Sequence, residues 1–530
     1  MTAINGTLPY LSRRPIVCAN NMVATSQPLA AQAGMAILQN GGNAVDAAIA
    51  TAITLTVVEP TGTGVGGDAF AILWDGKQLH GLNASGYSPR AWTPEAFAQY
   101  KQMPARGWQS VTVPGAVAAW KTLSDRFGRL PFEKLFEAAI NYAEHGFPVS
   151  PTIAKLWAAV SYKYDDQPGF RDTFMPKGRA PLAGERFANP DLAKSLKQIA
   201  DSGGESFYRG ELAQQMVKHA QQHGGLIDLD DLADYQPLWC GTIEKTLKQL
   251  TVHEIPPNCQ GIATLIALGI IDCFDWQSMD VDGLEFTHLC IEAMKLAFAD
   301  CATYVADPDH MTIEAQQFLS DAYLESRAEL IRLDAAQEYG AGAPSDGGTV
   351  YLATADADGL MVSFIQSNYE GFGSGVVVPG TGISMQNRGM GFSLTPGHPN
   401  QVGPRKRPFH TIIPGFATKN GEPHMAFGVM GGPMQAQGHL QMVVRTQLFE
   451  QNPQAACDAP RWQVRHGKEV MVEATMAPEL IAGLRGKGHD IIEEDGEAVF
   501  AFGGAQIIER GQYGYVGGSD YRKDGLAIGF

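Results

Sequence analysis

The sequence predicts an α+β protein made of layered β-sheets with helices packed on them, and two observations carry this prediction. Residues 110–340 are mostly helical in periodicity, because apolar and polar residues are mixed at about 3.6-residue spacing. Near residue 333 the character changes, and the remainder alternates β-rich runs, turn residues and shorter helical segments. A helical portion and a mixed portion that share one core favour sheets covered by helices.

The composition describes a globular chain and excludes several classes of protein. The chain has 530 residues, of which 45% are hydrophobic and 18% charged, so length alone favours roughly three to four domains. Its 60 glycines have no fixed period, which excludes a collagen-like sequence and indicates many close backbone approaches. A net charge of -17 repels phosphate backbones and anionic lipids, so neither nucleic acid nor a membrane is an expected partner.

Cysteine usage and the N-terminal sequence indicate the compartment. The seven cysteines are odd in number and form no C-x-x-C pair, which is typical of core thiols and not of a disulfide framework or a zinc site. The N-terminal sequence lacks the regions of a signal peptide, and the longest apolar stretch, 262–271, is too short to span a bilayer. We therefore expect a soluble protein in the reducing cytoplasm.

The first elements along the chain are two helices within residues 25–60. Ser26 is the expected N-cap of the first helix, and Asn43 begins the second, which runs to Val58. Alanine at many of their positions indicates close helix packing. Further helical periodicity is found at 115–127, 131–145, 284–305, 435–450 and 478–486.

Hairpins are predicted where turn residues separate apolar or β-rich runs. A glycine-rich stretch with few large apolar side chains, 333–348, is the expected surface loop or linker between the helical and the β-rich portions. The predicted hairpins are 69–83, 349–367 and 414–429, with turns at Asp75-Gly76, 356–359 and Asn420-Gly421.

The segment 62–67 satisfies the G-x-G-x-x-G pattern of dinucleotide-binding loops, but its surroundings contradict that function. The pattern requires a strand before it, a helix after it and an acidic residue about 20 positions further on. Here a helix precedes, a hairpin follows, and Gly86, Tyr87 and Ser88 carry no carboxylate. We interpret the segment as a tight glycine loop that approaches another backbone, and we expect no cofactor.

Metal sites are not supported by the sequence. Residues 356–359 resemble part of a calcium loop, but the position of its bidentate glutamate falls on Ile365, so a hairpin turn is the better interpretation. His288 has a carboxylate at Glu292, four positions on, but no second histidine joins the pair as a zinc-binding helix requires.

The junction Gly347-Gly348-Thr349 places a flexible loop next to the first residue of a predicted strand. Two glycines leave the preceding carbonyl open to an adjacent hydroxyl, and cleavage there would expose Thr349 as a new N-terminus. The N-terminal amine, with a pKa of about 7.7 to 8, would then act as base for the hydroxyl of the same residue. From these residues alone, an ordinary turn remains the alternative.

A series of short motifs runs in order along almost the whole chain, and together they carry a family resemblance. They are Met22-Val23-Ala24 with Ser26, Gly41-Gly42-Asn43-Ala44-Val45-Asp46-Ala47-Ala48, Gly64-Val65-Gly66-Gly67-Asp68, Pro114-Gly115, Asp307-Pro308-Asp309, Thr349, Phe372-Gly373-Ser374-Gly375, Lys406-Arg407-Pro408 and Gly431-Gly432. With these motifs the sequence resembles the γ-glutamyltransferase (glutathione hydrolase) family of N-terminal nucleophile hydrolases. The resemblance favours self-cleavage over an ordinary turn.

The resemblance implies an αββα sandwich built from a single precursor, in place of the several domains that length alone favours. The precursor would cut itself between Gly348 and Thr349. The products would be a large subunit, 1–348, and a small catalytic subunit, 349–530, which stay associated. A homo-oligomer of this heterodimer is left open.

The resemblance also implies the catalytic residues. Thr349 matches the nucleophile of the family, and Ser367 matches a threonine whose hydroxyl supports the nucleophile by hydrogen bonding. Gly431 and Gly432 match the pair whose backbone N–H groups form the oxyanion hole, where a side chain would obstruct the substrate carbonyl. No cofactor is required.

Departures from the family pattern fall on residues that hold the substrate. The family has an arginine near Ser85 that binds the α-carboxylate of glutamate, and an aspartate at Gly391 that binds the α-ammonium. An asparagine is replaced by Tyr369, and a pair of serines by His410-Thr411. Each lost charge removes a contact worth about 1.5 to 3 kcal/mol, so a new anion site is expected, for which the candidates are Arg388, His410 and Arg90.

We therefore predict an autoprocessing amidohydrolase that forms an acyl-enzyme on Thr349 and passes the acyl group to water or, in a transferase mode, to an amine. Its partner is a small-molecule amide. The alternatives within the superfamily are a cephalosporin-type acylase, which accepts a dicarboxylic acyl chain without an α-amine, and an oxamate amidohydrolase, which accepts a very small anionic amide. The alternative from another class is an unprocessed binding protein that retains only the fold.

Overall fold

The computed structural model describes residues 14–339, 348–494 and 499–530, in which helices and strands alternate along the chain. The α-helices are α1 (Pro28–Gln39), α2 (Ala44–Val58), α3 (Ala116–Phe127), α4 (Glu137–His145), α5 (Pro151–Ser161), α6 (Phe170–Phe174), α7 (Pro190–Ser202), α8 (Glu205–Tyr208), α9 (Glu211–Gln222), α10 (Leu229–Ala233), α11 (Gly261–Asp272), α12 (Leu284–Tyr304), α13 (Asp321–Ala328), α14 (Met434–Val443), α15 (Pro453–Asp458) and α16 (Pro478–Gly486).

The strands fall into two large sheets and several small ones. They are β1 (Val17–Ala19), β2 (Met22–Thr25), β3 (Asp68–Trp74), β4 (Leu79–Ala84), β5 (Phe147–Pro148), β6 (Arg186–Phe187), β7 (Leu238–Trp239), β8 (Ile243–Leu247), β9 (Leu250–Glu254), β10 (Gly348–Ala355), β11 (Met361–Tyr369), β12 (Val377–Val378), β13 (Ile383–Ser384), β14 (Gly415–Lys419), β15 (Glu422–Val429), β16 (Trp462–Val464), β17 (Glu469–Glu473), β18 (Asp490–Glu494), β19 (Ala505–Gly511), β20 (Gly514–Ser519) and β21 (Leu526–Gly529).

Both large sheets combine strands from before and after the predicted cleavage point. One sheet has the order β21-β2-β10-β11-β3-β4-β7, and the other has the order β1-β20-β19-β15-β14-β9-β8. Strand β10, which begins at Gly348, is an inner strand of its sheet, with β2 on one side and β11 on the other.

Side chains alternate between two cores along the central strands, as the two-residue period of a strand requires. In β3, Phe70 and Ile72 belong to the core between the two sheets, whereas Ala69, Ala71 and Leu73 belong to the core under α2. Helices α11 and α14 cover the outer face of the second sheet. The layers are therefore helix, sheet, sheet and helix, and the predicted αββα sandwich is confirmed.

The two alanine-rich helices pack as closely as the sequence predicts, although the first begins differently. A methyl group added at Gly34 of α1 would lie 2.2 Å from Thr51 Oγ1 of α2, so only glycine permits this approach. The N-cap of α1 is Gln27, whose side chain accepts from two backbone N–H groups, and the prediction of Ser26 was wrong. Ser26 instead donates to Glu59 Oε2 at 2.6 Å, because that buried carboxylate lies within reach.

The three predicted hairpins are confirmed as β3–β4, β10–β11 and β14–β15. Asp356 organises the second turn, since its Oδ1 accepts from the N–H groups of Asp358 and Leu360 at 3.0 and 3.1 Å. This use of the carboxylate agrees with a turn in place of a calcium loop. The segment predicted to be mostly helical also contains β8 and β9, which the helical periodicity of their neighbours concealed. Of the predicted linker, residues 340–347 lie outside the described residues.

The cysteines follow the prediction only in part. All seven are free thiols, and Cys259, Cys290, Cys301 and Cys457 are buried. Two others, at positions 18 and 273, are exposed, so the expectation of core thiols throughout was wrong. Among the described helices, none combines the length and apolar character needed to cross a membrane.

Candidate active site

Thr349 is the second residue of β10 and is almost completely buried, with 2% of its surface exposed. Its Oγ1 lies 3.4 Å from Ser367 Oγ on the neighbouring strand β11, within hydrogen-bond distance. Ser367 Oγ also accepts from the N–H of Tyr369 at 2.7 Å. The two hydroxyls that the sequence predicts to cooperate are therefore side by side in the centre of the sheet.

The predicted glycine pair lies at the junction of β15 and α14. Gly431 and Gly432 have φ values of +116° and +57°, a region that L side chains rarely adopt. Among the described residues, neither N–H has a hydrogen-bond acceptor, so both are available to an oxyanion. Gln260 holds the loop from behind, since its Nε2 donates to the carbonyls of Gly432 and Thr411 at 2.9 and 2.6 Å.

Gln435, in the first turn of α14, is a site residue that sequence reasoning missed. Its Nε2 lies 3.3 Å from Thr349 Oγ1, and its backbone N–H donates to the carbonyl of Gly432 at 3.1 Å. The residue is fully buried. No motif identifies it, and its proximity to the glycine pair in sequence was the only available signal.

The glycine loop 62–67 packs directly on the strand pair that carries the two hydroxyls. A methyl group at Gly62 would lie 3.2 Å from the carbonyl oxygen of Thr349, and one at Gly67 would lie 2.7 Å from that of Ser367. The N–H of Asn368 also donates to the carbonyl of Gly62 at 3.3 Å. The prediction of a tight loop against another backbone is confirmed.

Arg388 is a buried guanidinium with unused donors. It is 1% exposed, and its Nη1 donates to Thr411 Oγ1 at 3.0 Å. Its Nε and Nη2 have no acceptor among the described residues. Burial lowers its pKa to about 10, against the opposing attraction of Asp68. A buried cation that no carboxylate contacts directly is costly, so this arrangement favours binding of an anion.

Tyr369 connects the nucleophile strand with Arg388. Its φ is +82°, which is strained for a bulky residue, and its Cα pairs with that of Gly348 across β10 and β11. Its ring lies 4.5 Å from the guanidinium carbon of Arg388, in a cation–π contact. Strain of this kind clusters at functional sites.

These contacts form a closed ring of side chains and backbone around the nucleophile. Each member touches the next by a hydrogen bond or a ring contact. In order, the members are Thr349, Ser367, Tyr369, Arg388, Thr411, Gln260, Gly432 and Gln435, which returns to Thr349.

The side chain of His410 is not a member of this ring and is held by Asp68. His410 Nδ1 accepts from the N–H of Ile412 at 3.4 Å, so Nε2 carries the proton and donates to Asp68 Oδ2 at 3.1 Å. Burial, and then Arg388, hold the pKa of His410 well below its usual range. Burial raises the pKa of Asp68 to about 7, although Arg388 opposes this shift. The histidine is a neutral donor and supplies no positive charge for an anion.

Two other predicted positions are engaged within the protein. Ser85 donates to Asn83 Oδ1 at 2.7 Å and accepts from Asn258 Nδ2 at 3.3 Å, so its hydroxyl hydrogen is already engaged within the protein. Arg90 is partly exposed and forms ion pairs with the buried carboxylate of Asp231 and the exposed carboxylate of Asp234. Of the three candidates for an anion site, Arg388 alone combines burial with unpaired N–H groups.

Local packing explains why position 391 carries no carboxylate that could bind an ammonium group. A methyl group there would lie 2.5 Å from the carbonyl oxygen of Phe409, so a side chain fits only if the backbone moves. The position near the absent arginine is also rebuilt, because Arg407 Nε donates to the carbonyl of Ser85 at 3.2 Å and its guanidinium lies over Tyr87. Position 391 therefore offers no carboxylate to an ammonium group.

A cluster of titratable groups lies outside this site, where the sequence predicted no metal. His489 joins His288 and Glu292, with His288 Nδ1 and His489 Nε2 2.8 Å apart. Lys295 Nζ lies 2.5 Å from Glu292 Oε1 and also donates to the carbonyl of Gln337. The ammonium already neutralises the carboxylate, which disfavours a metal cation at this place.

Comparison with known proteins agrees with the geometry. The γ-glutamyltranspeptidase family model matches residues 30–530. The glutathione hydrolase-like YwrD proenzyme of Bacillus subtilis strain 168 is 36% identical over 97% of this chain and 99% of its own length. The oxamate amidohydrolase proenzyme of Klebsiella pneumoniae is 37% identical over 97% of this chain and 99% of its own.

A solved structure extends this likeness to three dimensions. The cephalosporin acylase from Bacillus halodurans superposes with a TM-score of 0.95 at 50% identity, covering 100% of this chain and 99% of the other. The sandwich, the family match and these relatives agree with one another. The chain belongs to the γ-glutamyltranspeptidase family and is an autoprocessed N-terminal nucleophile amidohydrolase.

Proposed function

We propose that this enzyme hydrolyses amides whose acyl part carries a carboxylate and lacks an α-ammonium group. The precursor is cut between Gly348 and Thr349, and the released amine of Thr349 acts as base. The observation that carries the substrate assignment is the buried guanidinium of Arg388, whose Nε and Nη2 have no acceptor among the described residues.

Each chemical step has a residue in place. Thr349 Oγ1 attacks the amide carbon, and its proton passes to its own amine and then to the leaving nitrogen as the C–N bond breaks. Water then attacks the ester carbon, the bond from that carbon to Oγ1 breaks, and Oγ1 recovers a proton. The N–H groups of Gly431 and Gly432 stabilise the oxyanion in both steps. Ser367 holds the hydroxyl of Thr349.

The substrate carboxylate pairs with Arg388, beside Thr411 and Tyr369. Two unused N–H groups on one side of a guanidinium match the two oxygens of a carboxylate. The relatives named oxamate amidohydrolase and cephalosporin acylase agree with an anionic acyl group. Gly391 argues against a γ-glutamyl substrate, because an ammonium group would find no carboxylate at that position. Ser85 and His410 act as support within the protein.

A substrate panel tests this assignment. With purified, processed enzyme we expect kcat/KM for a glutaryl amide or for oxamate to exceed that for γ-glutamyl anilide by about 10-fold or more, since one unpaired buried ammonium costs at least about 1.4 kcal/mol. Hydrolysis is measured by release of the amine or ammonia. Adding an amine acceptor tests the transferase mode, in which a second acylated product forms. Strong turnover of the γ-glutamyl compound would contradict the assignment.

The pKa of Asp68 predicts how anion binding depends on pH. Arg388 lowers the pKa of Asp68, so an anion that neutralises Arg388 raises that pKa and favours the protonated carboxyl. The anion therefore binds more tightly below a pH of about 7, and its affinity falls as the pH rises through this pKa. For a coupling of about half to one pKa unit, the inhibition constant of glutarate increases about 3- to 10-fold.

The measurement is competitive inhibition by glutarate across this pH range, with Asp68→Asn as the matched variant. In the native protein Asp68 Oδ1 accepts from the N–H of Gly115 at 3.1 Å. The asparagine side chain keeps an oxygen that can accept this hydrogen bond, but it has no proton that titrates in this range. The inhibition constant of this variant should therefore be flatter with pH. A flat wild-type profile would show that Asp68 and the anion are not coupled.

A further inference from the structure

Gln435 makes two side-chain contacts that fix which end of its amide faces the nucleophile. Its Oε1 accepts from the backbone N–H of Ile413 at 3.1 Å. A backbone N–H can only donate, so the oxygen must lie on that side. Nε2 therefore points toward Thr349 Oγ1, 3.3 Å away, and presents an N–H to it.

This orientation distributes the hydrogen bonds around the nucleophile. Because Oγ1 accepts from Gln435, one of its lone pairs is occupied, and its own hydrogen faces another acceptor such as Ser367 Oγ, 3.4 Å away. A hydrogen bond from an N–H strengthens as the acceptor oxygen gains negative charge. The contact is therefore weak in the resting hydroxyl and strong when Oγ1 becomes an alkoxide.

We propose that Gln435 is a catalytic residue, which donates a hydrogen bond to Thr349 Oγ1 whenever that oxygen carries negative charge. The inference rests on the proposed function, in which Thr349 is the nucleophile. No residue is oxidised or reduced and no proton leaves Gln435; its N–H only stabilises charge on the oxygen.

Three moments of the reaction put charge on Oγ1. The first is self-cleavage, when Oγ1 attacks the carbonyl carbon of Gly348, its proton passes to the nitrogen of Thr349 as the C–N bond breaks, and water then hydrolyses the resulting ester. The second is the attack on the substrate amide. The third is hydrolysis of the acyl-enzyme, when the ester bond breaks and Oγ1 leaves with the electron pair before it is protonated. Gln435 is fixed before each of these steps and needs no movement to act.

The test compares Gln435→Met with Gln437→Met. Gln437 is another buried glutamine on α14, whose side chain makes two hydrogen bonds to the backbone: Nε2 donates to the carbonyl of Val464 at 3.2 Å and Oε1 accepts from its N–H at 2.6 Å. Both variants lose a buried amide, but only the first loses a contact with Thr349. We expect Gln435→Met to slow self-cleavage and to lower kcat by about 10- to 100-fold, the effect of one charged hydrogen bond. Gln437→Met should cut and turn over at close to the wild-type rate.

A second variant keeps the test decisive if Gln435→Met does not fold. Gln435→Glu has the same shape and donates only while its carboxyl is protonated. The ratio of its kcat to the wild-type kcat should therefore rise toward one as the pH falls through the pKa of that carboxyl, which burial raises. A ratio that does not change with pH would contradict this role.

The outcomes separate the two hypotheses. Thr349→Ala is measured in parallel, and cleavage or turnover by that variant would defeat the proposed function itself. If Thr349→Ala is inert but Gln435→Met matches Gln437→Met in cleavage and kcat, or if the ratio for Gln435→Glu is flat with pH, only the role of Gln435 is overturned.

Discussion

Replacing Thr349 with Ala will leave the precursor as one uncut chain of 57.0 kDa with no measurable amidase activity. The variant lacks both the hydroxyl that attacks the Gly348 carbonyl and the nucleophile of the mature enzyme, so we expect turnover to fall by at least about 10³-fold. Intact-mass measurement after long incubation follows the cleavage, and amine release follows the activity.

The matched control is Thr354→Ala, on the same strand. Thr354 is also buried, and its Oγ1 donates to the carbonyl of Ala44 at 2.7 Å, so its loss removes a hydroxyl and a hydrogen bond from β10 without touching the site. The Thr354→Ala precursor should still cleave itself into two products. Complete cleavage of Thr349→Ala would place the scissile bond elsewhere, whereas a wild-type protein that stays whole would favour the unprocessed binding protein.

Replacing Arg388 with Met will raise KM for an anionic amide by at least about 100-fold and leave turnover of a neutral amide almost unchanged. The variant loses two charge-assisted hydrogen bonds to the substrate carboxylate, each worth about 1.5 to 3 kcal/mol. The free energy of unfolding should change less, because the substitution also removes a buried charge that no carboxylate contacts directly. Steady-state kinetics on a glutaryl amide and on an uncharged analogue of the same length measure the difference.

Arg90→Met is the control for this experiment, because it removes a partly exposed arginine that is already paired with Asp231 and Asp234. It should leave KM for both amides close to the wild-type value. Arg388→Lys keeps the charge but loses the planar pair of donors, so its KM should lie between those of wild type and Arg388→Met. Equal losses of anionic and neutral substrates would show that Arg388 only supports the fold.

The fold was predictable where local signals agree with the tertiary structure. Asp75-Gly76 and Asn420-Gly421 are turn sequences that also form turns, and the alanine-rich helices pack as closely as their composition indicates. Prediction was wrong where a distant group decided the outcome. Ser26 is a good helix cap by type, but it donates to Glu59, 33 positions away.

The site was predictable only as far as its motifs extend. Thr349, Ser367 and the glycine pair lie in or next to recognisable patterns, but the partners that complete them come from other segments. Gln435 lies 86 positions from Thr349 in sequence, and Asp68 lies 342 positions from His410. No spacing rule relates such pairs, since the sandwich alone brings them together.

The mixing of strands in both sheets determines how the cut enzyme holds together. With the proposed cut, the new N-terminus Thr349 is the second residue of β10, yet the hydrogen-bonding partner of this strand on one side, β2, belongs to the other product. Pulling the two polypeptides apart would open a sheet at its centre and leave a long unpaired edge, which is prone to aggregation. The two products should therefore be inseparable by dilution and co-migrate on a native column, and they should part only under denaturing conditions. If each product is refolded alone and the two are then mixed, little activity should be recovered, because neither sequence can complete a sheet without the other.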